Sequence, residues 1–136
     1  MSEMNNCNAT ASDSVKTYRA NTHCPTDDEF VCGDNIYRKV GRTSFKYLYE
    51  VTPPSGTSYY EVVERGHFYK CNEGAFRSSV LGEGQEMYPN DNDFGVWGWC
   101  YNDKAMAVNS LRWDKRKRRR VPLEECIFAD GFNSLG

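Results

Sequence analysis

Six consecutive basic residues, Lys115, Arg116, Lys117, Arg118, Arg119 and Arg120, stand near the end of a chain that is acidic elsewhere. Residues 112–120 hold seven basic side chains and one acid, leaving ten basic residues against eighteen acids in the rest, so the overall charge of −2 hides a segregated distribution. Such a block attracts a polyanion or an acidic protein surface, although an unexplained charge run is often only a solvated face. Arg112 and Trp113 just upstream, with Val121 and Pro122 just downstream, place this run between residues expected to pack. In extended form it sends successive arginines to opposite faces, making two short basic rows. Rows of that kind clamp phosphates while nearby Trp or Tyr rings stack on bases. The candidate partner or anion contacts are therefore Arg112, Trp113, Lys115, Arg116, Lys117, Arg118, Arg119 and Arg120. The composition also matches a nuclear-import signal or a basic-site protease target.

Metal and catalytic chemistry have less material. Cys24-Pro25 and Cys32-Gly33 echo the two halves of a zinc knuckle, and His67 with Cys71 would complete a Cys₃His set. A knuckle needs only about two to four residues between its thiolates, more closely spaced than Cys24 and Cys32, and four strand steps separate His67 from Cys71 by about 13 Å. Zinc is accordingly not expected, nor is a Cys–His nucleophile pair. Asp91, Asp93 and Gly95 lack the ligand period of a calcium loop. Gly82 and Gly84 lack the third glycine of a nucleotide fingerprint, and Glu83 and Glu86 would repel phosphate, so this stretch reads as a flexible loop. With two histidines, no serine elbow, no phosphate loop and no His-Glu-x-x-His, neither an enzyme nor a cofactor is expected.

Cys7, Cys24, Cys32, Cys71, Cys100 and Cys126 are spread along the chain, an even count that suits three disulfides in an oxidising compartment. Residues 1–13 lack the basic start and apolar stretch of a secretory signal, which favours isolated buried thiols and an intracellular or virion location. The Asn8-Ala9-Thr10 sequon carries no weight on that reading. No apolar run approaches the roughly 20 residues that cross a bilayer.

The elements that must position these residues are mostly strands. The chain of 136 residues reads as a polar extended arm over 1–29 and one β-rich domain over 30–136 that includes the basic strip 112–120. Nine Tyr, seven Phe and three Trp predict an aromatic core. Strands are expected at 36–40, at 45–51 with Phe45, Tyr47, Tyr49 and Val51 on one face, at 59–63 with a continuation through 67–69, and at 94–101. Gly41-Arg42-Thr43 and Pro53-Pro54-Ser55-Gly56 read as turns, and Asn102-Asp103 as a hairpin turn into a further strand over 105–108. A long connection fills 72–94, with a short apolar element at 79–81. A short C-terminal helix is expected from Pro122. The fold class is mainly β, an antiparallel sheet or small barrel with long loops.

These readings favour a non-enzymatic interaction or assembly protein, a small structural subunit of a larger particle such as a virion, in which copies or other proteins meet through opposite charges. A nucleic-acid-binding module using the basic strip is the alternative. An inhibitor or sequestering protein that grips a partner or an anionic ligand is the third reading.

Overall fold

Aromatic and β-branched residues at alternate positions form strands because each can bury one row of side chains. The computed structural model describes residues 15–70 and 81–133. Six strands lie side by side in chain order: β1 (Lys16–Tyr18), β2 (Glu29–Cys32), β3 (Asn35–Arg42), β4 (Lys46–Thr52), β5 (Tyr59–Glu64) and β6 (Gly98–Tyr101). β1 runs parallel to β2, and each later pair is antiparallel. The sheet does not close, so the protein is mainly β with an open mixed sheet rather than a barrel. One helix, α1 (Lys104–Arg112), is followed by β7 (Trp113–Asp114) and β8 (Arg119–Arg120), which pair as a second small sheet, and by β9 (Ile127–Phe128). β9 joins Gly41 and Arg42 on the edge of β3 that β2 occupies at Asn35, Ile36, Tyr37 and Arg38. Early and late parts of the chain thus lie end to end along one strand. Among the described residues no helix is long and apolar enough to cross a membrane.

The sheet is buried on both faces. Tyr47 and Tyr49 of β4 join Phe30, Val63, Cys24 and Tyr88 in one cluster, while Leu48, Val62 and Val40 meet Ala107, Val108 and Leu111 of α1 in the other. The first cluster is built from rings: Tyr88 stands edge-on to Tyr49 at 4.9 Å, and Phe30 stacks on Tyr37 at 4.8 Å. Edge-to-face and offset contacts suit the ring quadrupole, and each phenol keeps a polar end to satisfy. Tyr49 donates its hydroxyl to the Asp27 carbonyl at 2.8 Å, and the Tyr88 N–H donates to the Cys24 carbonyl at 2.7 Å. Within the segment read as an extended arm, Lys16–Tyr18 pair in the sheet and Cys24 packs in its core.

Several elements differ from the sequence expectation. The region 105–108 is helical, not a strand after a hairpin turn. Asp103 is the N-cap of α1, its carboxylate accepting from the Ala105 N–H at 2.8 Å, and buried Ala107, Val108 and Leu111 share one helical face. Gly41 and Arg42 continue β3 past an irregularity between Lys39 and Gly41, and the turn moves to Thr43, whose hydroxyl accepts from the Phe45 and Lys46 N–H groups. Glycine at 41 leaves room for the Phe128 ring, since a Cβ there would lie 2.9 Å from it and one of the two would have to shift. Phe45 lies before β4 and is exposed, outside the buried row of Tyr47, Tyr49 and Val51. Residues 94–97 form a turn, so that strand begins only at Gly98. His67 does not extend β5; Phe68 makes an isolated bridge to Glu86. The helix expected from Pro122 is a single 3₁₀ turn, Leu123–Glu125, with Pro122 at its cap. Of the apolar element at 79–81 only Leu81 is described, and it is buried; Ser79 and Val80 lie outside the described residues.

Candidate partner-binding site at the basic hairpin

The basic run does not extend into two rows; it turns back on itself. Trp113 pairs with Arg120 and Asp114 with Arg119, so residues 115–118 form the loop of a hairpin. Asp114, the lone acid in the run, is buried and accepts from the Arg116 N–H at 3.0 Å and the Lys117 N–H at 3.4 Å. An aspartate that bonds backbone two residues ahead nucleates such a turn, which is why one acid among seven bases reverses the chain here. Arg118 completes the turn at φ +55°, a left-handed conformation that a residue with a Cβ adopts at a cost.

The hairpin is fixed at its base. Val121 N–H donates to the Arg112 carbonyl at 2.6 Å, and Arg112 Nε returns a bond to the Val121 carbonyl at 2.8 Å. Below it, buried Lys46 donates Nζ to the Ser110 carbonyl at 2.8 Å in the last turn of α1, where a cation also meets the negative end of the helix dipole. Burial pulls the Lys46 pKa below the usual lysine value. Lys115 reaches back to Glu64 at 3.4 Å, and Glu64 also meets His67 Nε2 at 3.2 Å. Arg116, Lys117, Arg118, Arg119 and Arg120 are exposed, and none forms an ion pair with a described carboxylate. Five like charges on adjacent residues repel one another, so a counter-charge from outside is favourable.

Two grooves share Trp113, Lys115, Lys46 and Glu64. The first, of about 430 Å³, adds Phe45, Phe68, Arg65 and Arg116. The second, of about 480 Å³, adds Trp99, Tyr101, Met106 and Arg120. Phe45, Phe68, Met106 and Trp113 are all substantially exposed, placing four large apolar side chains among the cations. Glu86 in the first groove is fully engaged: it accepts from Thr26 and Tyr47 hydroxyls at 2.7 Å each and from the Gly66 N–H at 2.9 Å. Burial alone would raise its pKa, but these bonds outweigh burial and hold the carboxylate below its usual value. Arg65 donates to the Thr43 carbonyl at 2.6 Å and lies over the Tyr47 ring.

The eight basic-strip residues named from sequence thus stand together, whereas Phe45, Lys46, Arg65, Phe68 and Met106 reach the grooves from remote positions that no local pattern links. The zinc set is only partly assembled. Cys24 and Cys32 Sγ atoms lie 3.4 Å apart, so the seven residues between them do not keep the thiols apart; Phe30 of the intervening segment enters the core and brings Cys32 back over Cys24. His67 instead stacks on Trp97 at 3.9 Å and faces Glu64. Cys71 lies outside the described residues. Among the described residues no three His, Cys, Asp or Glu side chains converge as a metal site. Compared with protein families, curated proteins and solved structures, the chain matches no family model and has no significant match to a curated protein or a solved structure.

Proposed function

We propose that this protein is a non-enzymatic interaction protein whose basic hairpin docks on an acidic protein surface, with a second copy of the chain as the first occupant and head-to-tail assembly as the outcome. The observation that carries the reading is the hairpin itself: five exposed cations without a described carboxylate partner, fixed at the base and flanked by exposed Trp113, Phe45, Phe68 and Met106. Tryptophan and arginine around an apolar centre are the residues that dominate protein interfaces. The chain also carries the complement, because the acid excess lies outside the hairpin and Glu29 and Asp34 are exposed on β2 and its following turn. A contact between different patches on two copies is heterologous and can repeat, as a subunit of a larger particle such as a virion requires.

Replacing Arg116, Arg118 and Arg120 together by Ser tests this. The melting temperature should stay nearly unchanged or rise slightly, while the mass in solution, measured by sedimentation at low and high salt, should lose its salt-dependent association. A wild-type chain that stays monomeric at low salt and high concentration overturns the copy-to-copy reading.

Nucleic acid is the second reading, favoured by rings interleaved with cations, the arrangement that stacks single-stranded bases. Glu64 in both grooves and Glu86 in the first oppose a phosphate backbone, which is why an acidic protein with apolar content fits better. Binding of a free oligonucleotide with a log–log salt slope of about −0.7 per phosphate neutralised would reverse that ranking.

A further inference from the structure

The segment before β2 folds back along the end of that strand. Asn21 turns the chain at φ +62°, Gly33 donates its N–H to the Tyr18 carbonyl at 2.9 Å, and Ala20 packs against the face where a Cβ on Gly33 would stand. This places Cys24 beside Cys32 with their Sγ atoms 3.4 Å apart. A disulfide bond is about 2.05 Å, so modest side-chain rotation brings the two sulfurs to bonding distance. Both line a cleft of about 380 Å³ with Asn21, Asp34 and Asp91, but their exposure differs: Cys24 is buried at 2%, whereas Cys32 is half-buried. Cys100 and Cys126 are also free thiols, and neither shares a contact with another described cysteine.

We propose that Cys24 and Cys32 are a reversible dithiol–disulfide pair, oxidised by a low-molecular-weight disulfide such as glutathione disulfide that enters at Cys32. The Cys32 thiolate attacks one sulfur of glutathione disulfide, forming a mixed disulfide and expelling one glutathione thiolate. Cys24 then gives up its proton to solvent, and its sulfur attacks Cys32 Sγ, forming the internal bond and expelling the second glutathione thiolate. The protein loses two electrons and two protons; glutathione disulfide gains them as two thiols. The order follows from exposure, since the attacking group must be reached and the resolving group need only face it. The ionisation of the pair agrees: the hydrogen bond from the Cys24 thiol holds Cys32 below the usual thiol value, and the same bond, with burial, pushes Cys24 up. The bond would tie the segment that feeds β1 into β2 covalently.

Both cysteines fall in one tryptic peptide, residues 20–38. Incubating the native full-length protein with excess glutathione disulfide, alkylating, digesting and weighing that peptide reads the state directly. The expected product is two hydrogens lighter, resists alkylation, and regains both reactive thiols after reduction. Cys24→Ser should stop at one glutathionyl group on Cys32, and Cys32→Ser should leave Cys24 unmodified in the folded chain. A wild-type peptide that keeps two free thiols, or gains two separate glutathionyl groups, overturns the pair. Modification of Cys24 in Cys32→Ser as fast as the wild type closes its bond overturns the entry order.

Discussion

Replacing Glu61 by Gln should stabilise the protein at alkaline pH and leave it little changed in acid. Glu61 lies on β5 at 7% exposure, and its carboxylate accepts the Tyr88 hydroxyl at 2.6 Å. Burial raises its pKa from 4.5 to about 7; the Tyr88 bond works against this rise and the Asp91 charge adds to it. Below about pH 4.5 the carboxyl is neutral in both folded and unfolded chains and contributes no pH dependence. Between there and about 7 the unfolded chain ionises while the folded chain keeps its proton, so stability falls as pH rises, and above 7 the loss is complete. The difference in pKa corresponds to roughly 3 kcal/mol. Glu61→Gln has no proton to lose, yet keeps an oxygen for Tyr88. Urea unfolding of both proteins across this range, with the difference taken at each pH to cancel other titrating groups, should show an advantage growing to roughly 3 kcal/mol for the variant. A difference that is flat with pH, or that shrinks as pH rises, refutes the reasoning and means that the carboxylate is ionised and solvated in the folded protein.

Three further outcomes follow from residues already placed. Arg118→Gly removes a Cβ from a left-handed position and should raise stability by about 0.5–1 kcal/mol after the extra freedom of the unfolded chain is counted; chemical denaturation reads it, and a loss of stability would mean that the Arg118 side chain supports the turn. Trp97→Ala should cost about 3–5 kcal/mol, because Trp97 is buried and stacks on His67, whereas Trp99→Ala should cost less from its half-buried place; equal costs would contradict that difference. Gly41→Ala should lower the melting temperature by forcing the Phe128 ring away, and amide exchange at Phe128 should accelerate with it; unchanged exchange would show that the ring yields without cost.

How much of this was legible depends on whether the signal was local. β3, β4 and β5 could be read because alternating aromatic and β-branched residues mark strands within six to eight positions. Burial of β4 on both faces was not legible, since Leu48 and Val62 are explained by α1, and α1 itself was obscured by an Asn-Asp pair before it that also suits a hairpin turn. Asp103 was the available signal, as an N-cap preceding Ala, Met and Leu, all good helix formers. The basic residues could be picked out by charge alone. Their reversal depended on Asp114, whose role as a turn-former was hidden by six neighbours of opposite sign. Cys24 and Cys32 show the opposite failure: a spacing rule for one tight turn does not apply where a strand and a loop approach through the core.

The sharing of one edge of β3 by β2 and β9 has a kinetic consequence. The β2–β3 hairpin closes through a short turn and can form early, whereas Gly41 must wait for Phe128 from the far end of the described chain. Closing so long a loop carries an entropic cost that grows only slowly with length, yet it must be met before the contact returns any stability. During synthesis the half of this edge next to Asn35 can be paired while the half at Gly41 and Arg42 stays open. A nascent chain halted before Ile127 therefore displays free strand hydrogen-bonding groups at Gly41 and Arg42, even where α1 has already covered the adjoining apolar face.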